Sequence, residues 1–154
     1  MKKVLTLCIV HQHSQVLLGY KKRGFGMGKL NGFGGKVDEG ESIEDAARRE
    51  IFEEAEIDVQ NLEKMGVLDF EFKGDPVILE VHVFKANGFR GEPRETEEMK
   101  PQWFDVAQIP FASMWPDDKY WFPYFINGEK FRGKFVFDGA QTLVEKKLDV
   151  VKEV

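Results

Sequence analysis

Several features that would restrict its function are missing from this 154-residue sequence. It has a single cysteine, Cys8 in the apolar stretch VLTLCIV, so no disulfide framework can form and the chain suits a reducing compartment. We interpret Cys8 as a buried strand residue rather than a nucleophile. No apolar run approaches the roughly 20 residues of a membrane span, and the basic start MKKVLTLCIVHQHSQ has no small-residue cleavage site. These absences predict a soluble cytoplasmic protein without a membrane partner, with the nucleus and mitochondria as further compartments.

A surplus of basic residues is also missing. Lys and Arg number 22 against 27 Asp and Glu, which gives a net charge of -5 at pH 7. Binding of a nucleic-acid polymer depends on neutralising many phosphates with a basic face, so we expect no such partner. A small anionic ligand is compatible with this charge if a local device such as a metal ion binds it. The length and the 42% hydrophobic content predict one domain over residues 1–154, which we expect to be a monomer.

Short apolar runs bounded by turn residues predict a chain rich in strands. VLTLCIV and QVLLGY, separated by HQHS, predict a β-hairpin, in which we interpret His11 and His13 as turn residues rather than a metal-binding pair. Further strands are predicted for GVLDFEF, VILEVHVF, PQWFDV, FRGKFVFD and TLVEKKLDVV. The segment Lys21–Gly40 contains seven glycines and no hydrophobic period, which predicts a loop.

Two segments predict helices. Ser42 and Asp45 have the spacing of a capping box, which predicts a helix from Ile43 to Ala55 with an apolar residue at every fourth position. The segment MWPDDKYWFPYFING predicts a second helix, because proline and acidic residues both favour a first turn. Strands outnumber helices, so the expected fold class is α+β, a sandwich with a mixed β-sheet.

Three glutamates crowd one side of the first predicted helix. At about 100° per residue, Glu50, Glu53 and Glu54 share a sector about 100° wide that borders the apolar stripe. Like charges three or four positions apart each cost about 0.2–0.5 kcal/mol even on an exposed helix, so we expect something to neutralise them. A solvated acidic helix face is the simplest alternative. The preceding glycine-rich loop and the oxygen-only donors instead favour a hard cation such as Mg²⁺ that holds phosphates.

The same residues resemble a known sequence motif. Gly35, Glu41, Arg49-Glu50-Ile51, Glu53-Glu54 and Ile57 have the spacing of the Nudix box, Gly-x5-Glu-x7-Arg-Glu-U-x-Glu-Glu-x-Gly-U, where U is aliphatic. The chain is therefore similar to the Nudix hydrolases. One position departs from the box, because Glu56 stands where the family has glycine. We expect a strained or differently shaped helix end there, at a cost of about 1 kcal/mol.

The resemblance implies a Nudix-type α/β/α sandwich that hydrolyses a nucleoside diphosphate linked to another group, with Mg²⁺ as cofactor. Arg49 and Glu41 would form a supporting ion pair. Glu54, with Glu53 as the alternative, would help to deprotonate the attacking water. The residues that the resemblance implies as Mg²⁺ contacts are Gly34, through its backbone, and Glu50, Glu53, Glu54 and Glu98. For Glu98 a solvated loop position is the alternative.

Outside the box, the chain is also similar to the Nudix enzymes that hydrolyse oxidised purine nucleoside triphosphates. The segments that carry this resemblance are KKRGFG, NGFGGKV, VHVF, WPDD and YWFP. This resemblance implies a small-molecule substrate such as 8-oxo-dGTP or 2-hydroxy-dATP. The products would be the monophosphate and pyrophosphate, and the reaction would remove oxidised purines from the nucleotide pool. The implied substrate contacts are Thr6, Lys21, Phe25, Asn31, Phe33, Gly34, Gly35, Lys36, Phe70, Trp115, Pro116, Asp117 and Asp118.

Within this set, Asn31, Asp117 and Asp118 would read the base. Two adjacent carboxylates tend not to ionise together, so one keeps a proton and the pair offers both a donor and an acceptor. Leu30 and Leu79 depart from the resemblance, since the relatives have Trp and Met there; Trp121 and Phe122 are assigned to the core. Two alternatives stay open: a Nudix hydrolase of another substrate, such as a dinucleoside polyphosphate or a capped RNA end, and a nucleotide-binding module that has lost catalysis.

Overall fold

A mixed β-sheet with two α-helices forms the structure, a computed structural model that describes all of residues 1–154. The strands are β1 (Lys2–Gln12), β2 (Gln15–Lys21), β3 (Leu30–Asn31), β4 (Leu62–Phe72), β5 (Ile78–Ala86), β6 (Met99–Asp105), β7 (Lys130–Asp138) and β8 (Thr142–Val151). The helices are α1 (Ile43–Ala55) and α2 (Asp118–Ile126), and short 3-10 turns span Val106–Gln108 and Phe111–Ser113. Neither helix combines the length and the apolar character that crossing a membrane requires.

The sheet has the order β3-β2-β1-β5-β4-β7-β8, and β6, which lies off this path, also pairs with β2. The β1–β5 and β4–β7 pairs are parallel, whereas the remaining pairs are antiparallel. The predicted hairpin of β1 and β2 is confirmed, with Val10 opposite Leu17. The mixed α+β class predicted from the sequence is therefore the observed one.

Alternating side chains of the sheet supply two separate cores. In β1, Ile9 packs on the face that carries α2, whereas Cys8 and Val10 pack on the face that carries α1. This division follows from the two-residue period of a strand, which points successive side chains to opposite faces. Cys8 is fully buried, as predicted, and burial raises the pKa of its thiol to about 12, so it stays protonated. Trp121 and Phe122 lie in the α2-side core, as predicted.

The first helix has the predicted bounds, Ile43 to Ala55. The Ser42 hydroxyl accepts a hydrogen bond from the Asp45 backbone N–H at 3.1 Å, which satisfies one of the donors that a helix N-terminus leaves free. Ala47, Ile51 and Ala55 pack into the α1-side core and Ile43 lies at its edge, as the four-residue stripe predicts.

Three local predictions are corrected by the structure. His11 lies within β1 rather than in the turn, so only His13 is a turn residue. The segment predicted as a continuous loop contains the short strand Leu30–Asn31, because its backbone pairs with Gly19 and Tyr20 at the end of β2. The second helix is shorter than its segment, since Met114–Asp117 form the turn that leads into it.

Glu56 ends α1 in the left-handed conformation, with φ at 58° and ψ at 31°. Its backbone N–H donates to the Phe52 carbonyl at 2.9 Å, which completes the helix end. This is the conformation that glycine adopts most easily at such a position, so the glutamate retains the helix end and bears the strain.

Replacing Glu56 by glycine is therefore expected to raise the free energy of unfolding by about 1 kcal/mol, which shifts Tm upward by about 2–4 °C for a chain of this size. Thermal unfolding followed by circular dichroism measures the effect. Glu56→Ala is the matched control, because alanine removes the carboxylate but keeps the Cβ that causes the strain. An equal rise in Tm for both variants would show that the destabilisation comes from the Glu56 carboxylate charge and not from its left-handed backbone.

Candidate active site

A cavity of about 270 Å³ lies on the face of the sheet that carries α2, between the glycine-rich loop and the start of α2. Most predicted substrate residues line it: Thr6, Lys21, Phe25, Asn31, Gly34, Gly35, Lys36, Phe70, Trp115, Asp117 and Asp118. Glu54 lines it too, so one cavity joins the predicted base pocket to the acidic helix. Residues as far apart in the chain as Leu5 and Phe137 meet here because β1, β4, β5 and β7 are neighbours in the sheet.

Two predicted residues lie outside the cavity. The Phe33 side chain is fully buried in the α1-side core, and its backbone N–H and C=O both pair with Cys8. Phe33 therefore supports the loop from beneath instead of contacting a ligand with its ring. Pro116 belongs to the turn before α2 and faces a separate surface groove beside Tyr120.

Three aromatic cavity residues were not predicted as contacts, namely Phe72, Phe137 and Trp121. Phe72 and Phe137 stack with ring centroids 5.4 Å apart. The alternation of Phe70 with Phe72 on β4 places both on one face, which was the available sequence signal. Trp121 belongs to the core and to the cavity at once, which no local pattern indicates.

Aromatic rings form the mouth of the cavity. Phe25 lies 5.2 Å from Trp115 and 5.8 Å from Phe72, centroid to centroid, although 67% of it is exposed. The Lys29 ammonium stands 5.4 Å above the Trp115 ring. Exposed aromatic faces beside an apolar cavity favour stacking of a flat heterocycle.

The Asp117–Asp118 pair lines the cavity, and both residues are almost fully buried. The Trp121 indole N–H donates to Asp117 Oδ2 at 2.8 Å, whereas Asp118 Oδ2 has no hydrogen-bond partner. Burial raises the pKa of Asp117, and burial together with the neighbouring Asp117 charge raises the pKa of Asp118. A buried carboxyl oxygen without a partner is costly, so its placement in a cavity points to a ligand as the partner.

Thr6 and Asn31 add polar groups to the cavity wall. The Thr6 hydroxyl is buried without a hydrogen-bond partner, while the Asn31 side-chain oxygen accepts from the Gly32 backbone N–H at 3.0 Å. The two positions that depart from the resemblance lie in different places. Leu79 lines the cavity, whereas Leu30 packs outside it.

Glu54 also lines the cavity and is 4% exposed. Its Oε1 accepts from the Gly34 backbone N–H at 2.8 Å, and its Oε2 lies 3.6 Å from the Lys21 ammonium. Burial raises the pKa of Glu54 to about 7, against the opposing effect of Lys21 and the Gly34 N–H. This carboxyl is therefore able to accept or release a proton near neutral pH.

Arg49 contacts Glu50 and Glu53, the other two glutamates of the cluster on α1, and forms the predicted ion pair with Glu41. Its guanidinium donates to Glu41 at 2.7 and 3.1 Å, to Glu50 at 2.8 Å and to the Lys36 carbonyl at 2.9 Å. Glu53 lies further off, at 3.3 Å, and its side chain is 55% exposed. The loop, the helix and the acids are thereby connected through one cation.

Close packing requires glycine at Gly34 and Gly35. A Cβ on Gly34 would lie 1.7 Å from the Thr6 carbonyl oxygen. A Cβ on Gly35 would lie 2.6 Å from the Glu50 carboxyl group. The NGFGGK segment thus brings bare backbone against β1 on one side and against an acidic side chain on the other.

The acidic residues fit a divalent cation by their chemistry, because they offer only carboxylate and carbonyl oxygens. They are not gathered into a ready cage, since no group of three or more His, Cys, Asp and Glu side chains lies close enough to hold a metal ion. Arg49 holds Glu50 and Glu53, and Lys21 lies between Glu54 and Glu98. Ligation therefore requires these carboxylates to leave their present cationic partners.

Residues 1–125 match the family of the NUDIX domain. The chain is 53% identical over 152 residues to the oxidized purine nucleoside triphosphate hydrolase of Danio rerio, covering 99% of this chain and 97% of the relative. It is 52% identical over 146 residues to the protein of that name from Mus musculus, covering 95% and 94%. Among solved structures it is similar to a MutT protein from Bacillus halodurans, with a TM-score of 0.86, 30% identity and coverage of 96% and 97%.

Proposed function

The chain belongs to the NUDIX family, and on that premise we propose that it is a Mg²⁺-dependent pyrophosphohydrolase of oxidised purine nucleoside triphosphates. Its substrates are then nucleotides such as 8-oxo-dGTP and 2-hydroxy-dATP, and its products are the monophosphate and pyrophosphate. One observation carries the proposal: a single cavity is lined both by Asp118, whose buried carboxyl oxygen Oδ2 has no hydrogen-bond partner, and by the Glu54 carboxylate.

The Asp117–Asp118 pair supports recognition of an oxidised purine base. Asp117 is oriented by the Trp121 N–H, so its other oxygen and the Asp118 carboxyl are available to the base edge. A pair that shares one proton can donate at one position and accept at the other, and moving the proton exchanges these roles. Such a pair suits both 8-oxoguanine and 2-hydroxyadenine, which present different donors and acceptors.

The glutamates of the candidate site support hydrolysis. Glu50, Glu53, Glu54, Glu98 and the Gly34 backbone are the groups that would hold Mg²⁺, which when bound neutralises phosphate charge and makes a water more acidic. Glu54 is fixed through Oε1 by the Gly34 N–H, which leaves Oε2 to take the proton of the attacking water. Glu53 is less suited to this role, because it is half exposed and contacts Arg49.

The segment beyond the matched residues 1–125 supports a single domain over residues 1–154. Phe137 of β7 lines the cavity, and β7 pairs with β4 in register from Gly66 to Phe72. We extend the proposal to a cytoplasmic monomer, which is the expectation drawn from the single cysteine and the length of the sequence.

The test is hydrolysis with Mg²⁺ of 8-oxo-dGTP, 2-hydroxy-dATP, dGTP and a dinucleoside polyphosphate at equal concentrations, with the nucleotide products separated by anion-exchange chromatography. We expect kcat/KM for both oxidised triphosphates to exceed that for dGTP by at least about tenfold, the factor that about 1.4 kcal/mol of extra base contacts produces. Cleavage of the dinucleotide alone would reject the base pocket. Tight binding of all four without cleavage would instead support a nucleotide-binding module.

A further inference from the structure

The C-terminal end of α1 depends on groups from a distant loop. Its last turn has no basic residue, although the final carbonyls of a helix lack intrahelical partners and carry partial negative charge. The Thr96 hydroxyl donates to the Glu54 carbonyl oxygen at 3.0 Å, and the Arg94 backbone N–H donates to the Ala55 carbonyl oxygen at 2.9 Å. The loop between β5 and β6 is thereby joined to the residue proposed as the proton acceptor.

The same hydroxyl also fixes the residue proposed as an additional metal contact. Thr96 Oγ1 accepts from the Glu98 backbone N–H at 3.2 Å and from the Met99 backbone N–H at 3.3 Å. A hydroxyl has one donor and two acceptor lone pairs, so this oxygen uses its whole hydrogen-bonding capacity. One half-buried side chain therefore connects the backbone of Glu54 to the backbone of Glu98.

The two carboxylates that this link aligns face a common point. The Lys21 ammonium lies 3.6 Å from Glu54 Oε2 and 3.7 Å from Glu98 Oε2, although the two glutamates are 44 positions apart in the chain. The only other side-chain restraint on Glu98 is on the solvent side, where Arg23 donates to Oε1 at 2.8 and 2.6 Å and contacts no helix residue. The Lys22 backbone N–H donates to the Glu98 carbonyl at 2.8 Å and ties Glu98 to the end of β2, whereas Thr96 is the side chain that joins Glu98 to α1.

We infer that Thr96 is a positioning residue for the metal site, because its hydroxyl holds the Glu98 and Glu54 backbones at the separation from which both carboxylates reach one divalent cation. The inference rests on the proposed function in one respect, that Glu54 and Glu98 bind the cation. Thr96 does not line the cavity, and its hydroxyl is fully used by three hydrogen bonds to the backbone. Groups that orient metal ligands commonly change metal affinity by 10- to 100-fold when removed.

The test compares Thr96→Val with Thr96→Ser. Valine keeps the shape of threonine but removes the hydroxyl, whereas serine keeps the hydroxyl and loses only a methyl group. Mn²⁺ serves as the probe, because the free ion is counted directly by electron paramagnetic resonance in the absence of nucleotide. We expect T96V to bind Mn²⁺ about 10-fold more weakly than the unsubstituted chain and T96S to bind it within about twofold.

Thr142→Val is the matched control, since Thr142 is an exposed residue at the start of β8 and contributes nothing to the cavity. Thermal unfolding without metal establishes that each variant is folded at the temperature of the titration. If T96V is unfolded there, Thr96→Ala replaces it, because alanine requires no space for branched methyl groups.

Unchanged Mn²⁺ affinity in the folded variant that lacks the hydroxyl would overturn the inference, as would an equal loss in T96S. The substrate is judged separately, by hydrolysis of 8-oxo-dGTP by the unsubstituted chain. A chain that binds Mn²⁺ in a Thr96-dependent way but cleaves no oxidised triphosphate would reject the proposed function and retain the role of Thr96.

Discussion

Replacing Glu54 by glutamine is expected to lower kcat for 8-oxo-dGTP by about 10²- to 10⁴-fold without unfolding the protein, the range typical of a lost proton-transfer group. Glutamine has the length of glutamate and can still accept from the Gly34 N–H. It cannot take a proton from water, and its amide group cannot replace the carboxylate facing Lys21. Steady-state kinetics at saturating Mg²⁺, with circular dichroism to establish folding, measure the effect.

Glu44→Gln provides the control for the Glu54 substitution. Glu44 lies on the same helix but is exposed in its first turn, far from the cavity. We expect E44Q to keep its kcat within about twofold, with at most the small stability loss of an acid removed from a helix N-terminus. Near-normal turnover by E54Q would remove Glu54 from the mechanism and transfer the proton-accepting role to Glu53.

Replacing Asp117 by asparagine is expected to reduce selectivity for oxidised bases by about 10- to 10²-fold while slowing dGTP cleavage far less. Asparagine keeps the size of the side chain and can still accept from the Trp121 N–H. It removes the proton that Asp117 and Asp118 share, so the pair can no longer adapt its donors and acceptors. A hydrogen bond to a charged group contributes about 1.5–3 kcal/mol, which corresponds to this range.

The measurement for Asp117 is the ratio of kcat/KM for 8-oxo-dGTP and 2-hydroxy-dATP to that for dGTP. Asp138→Asn is a suitable control, because Asp138 is exposed at the end of β7 and lines no cavity. The base-reading role fails if D117N loses the same factor on all three substrates, since that result assigns Asp117 to general architecture.

Local chemistry determined much of the candidate site in advance. The bounds of α1 follow from Ser42 and from the four-residue stripe, because capping and amphipathic periodicity depend only on neighbours in sequence. The Arg49–Glu41 ion pair and the placement of Gly34 and Glu54 at one site were implied by the resemblance to the Nudix hydrolases, and the structure has both the ion pair and a Gly34–Glu54 hydrogen bond. The strained end at Glu56 was expected for the same reason, because a residue in that position must adopt the left-handed conformation.

Other parts of the site depend on contacts between distant segments, which no local pattern encodes. Phe33 lies in the glycine-rich loop and was expected to contact the substrate, yet backbone pairing with Cys8 turns its ring into the core. Leu30 and Asn31 form a strand only because β2 offers them an edge. Phe137 lines the cavity only because β7 pairs with β4.

The sequence by itself determined the elements, the acidic helix, the glycine-rich loop and the family, since these depend on residue type and on spacing along the chain. Only the tertiary structure decided how deeply each acid is buried, from the enclosed Glu54 to the exposed Glu53, and which cation each one contacts. It also brought Thr96 onto the end of α1. The physical reason is that burial and hydrogen-bond partners are set by the order and twist of strands, which join residues far apart in the chain.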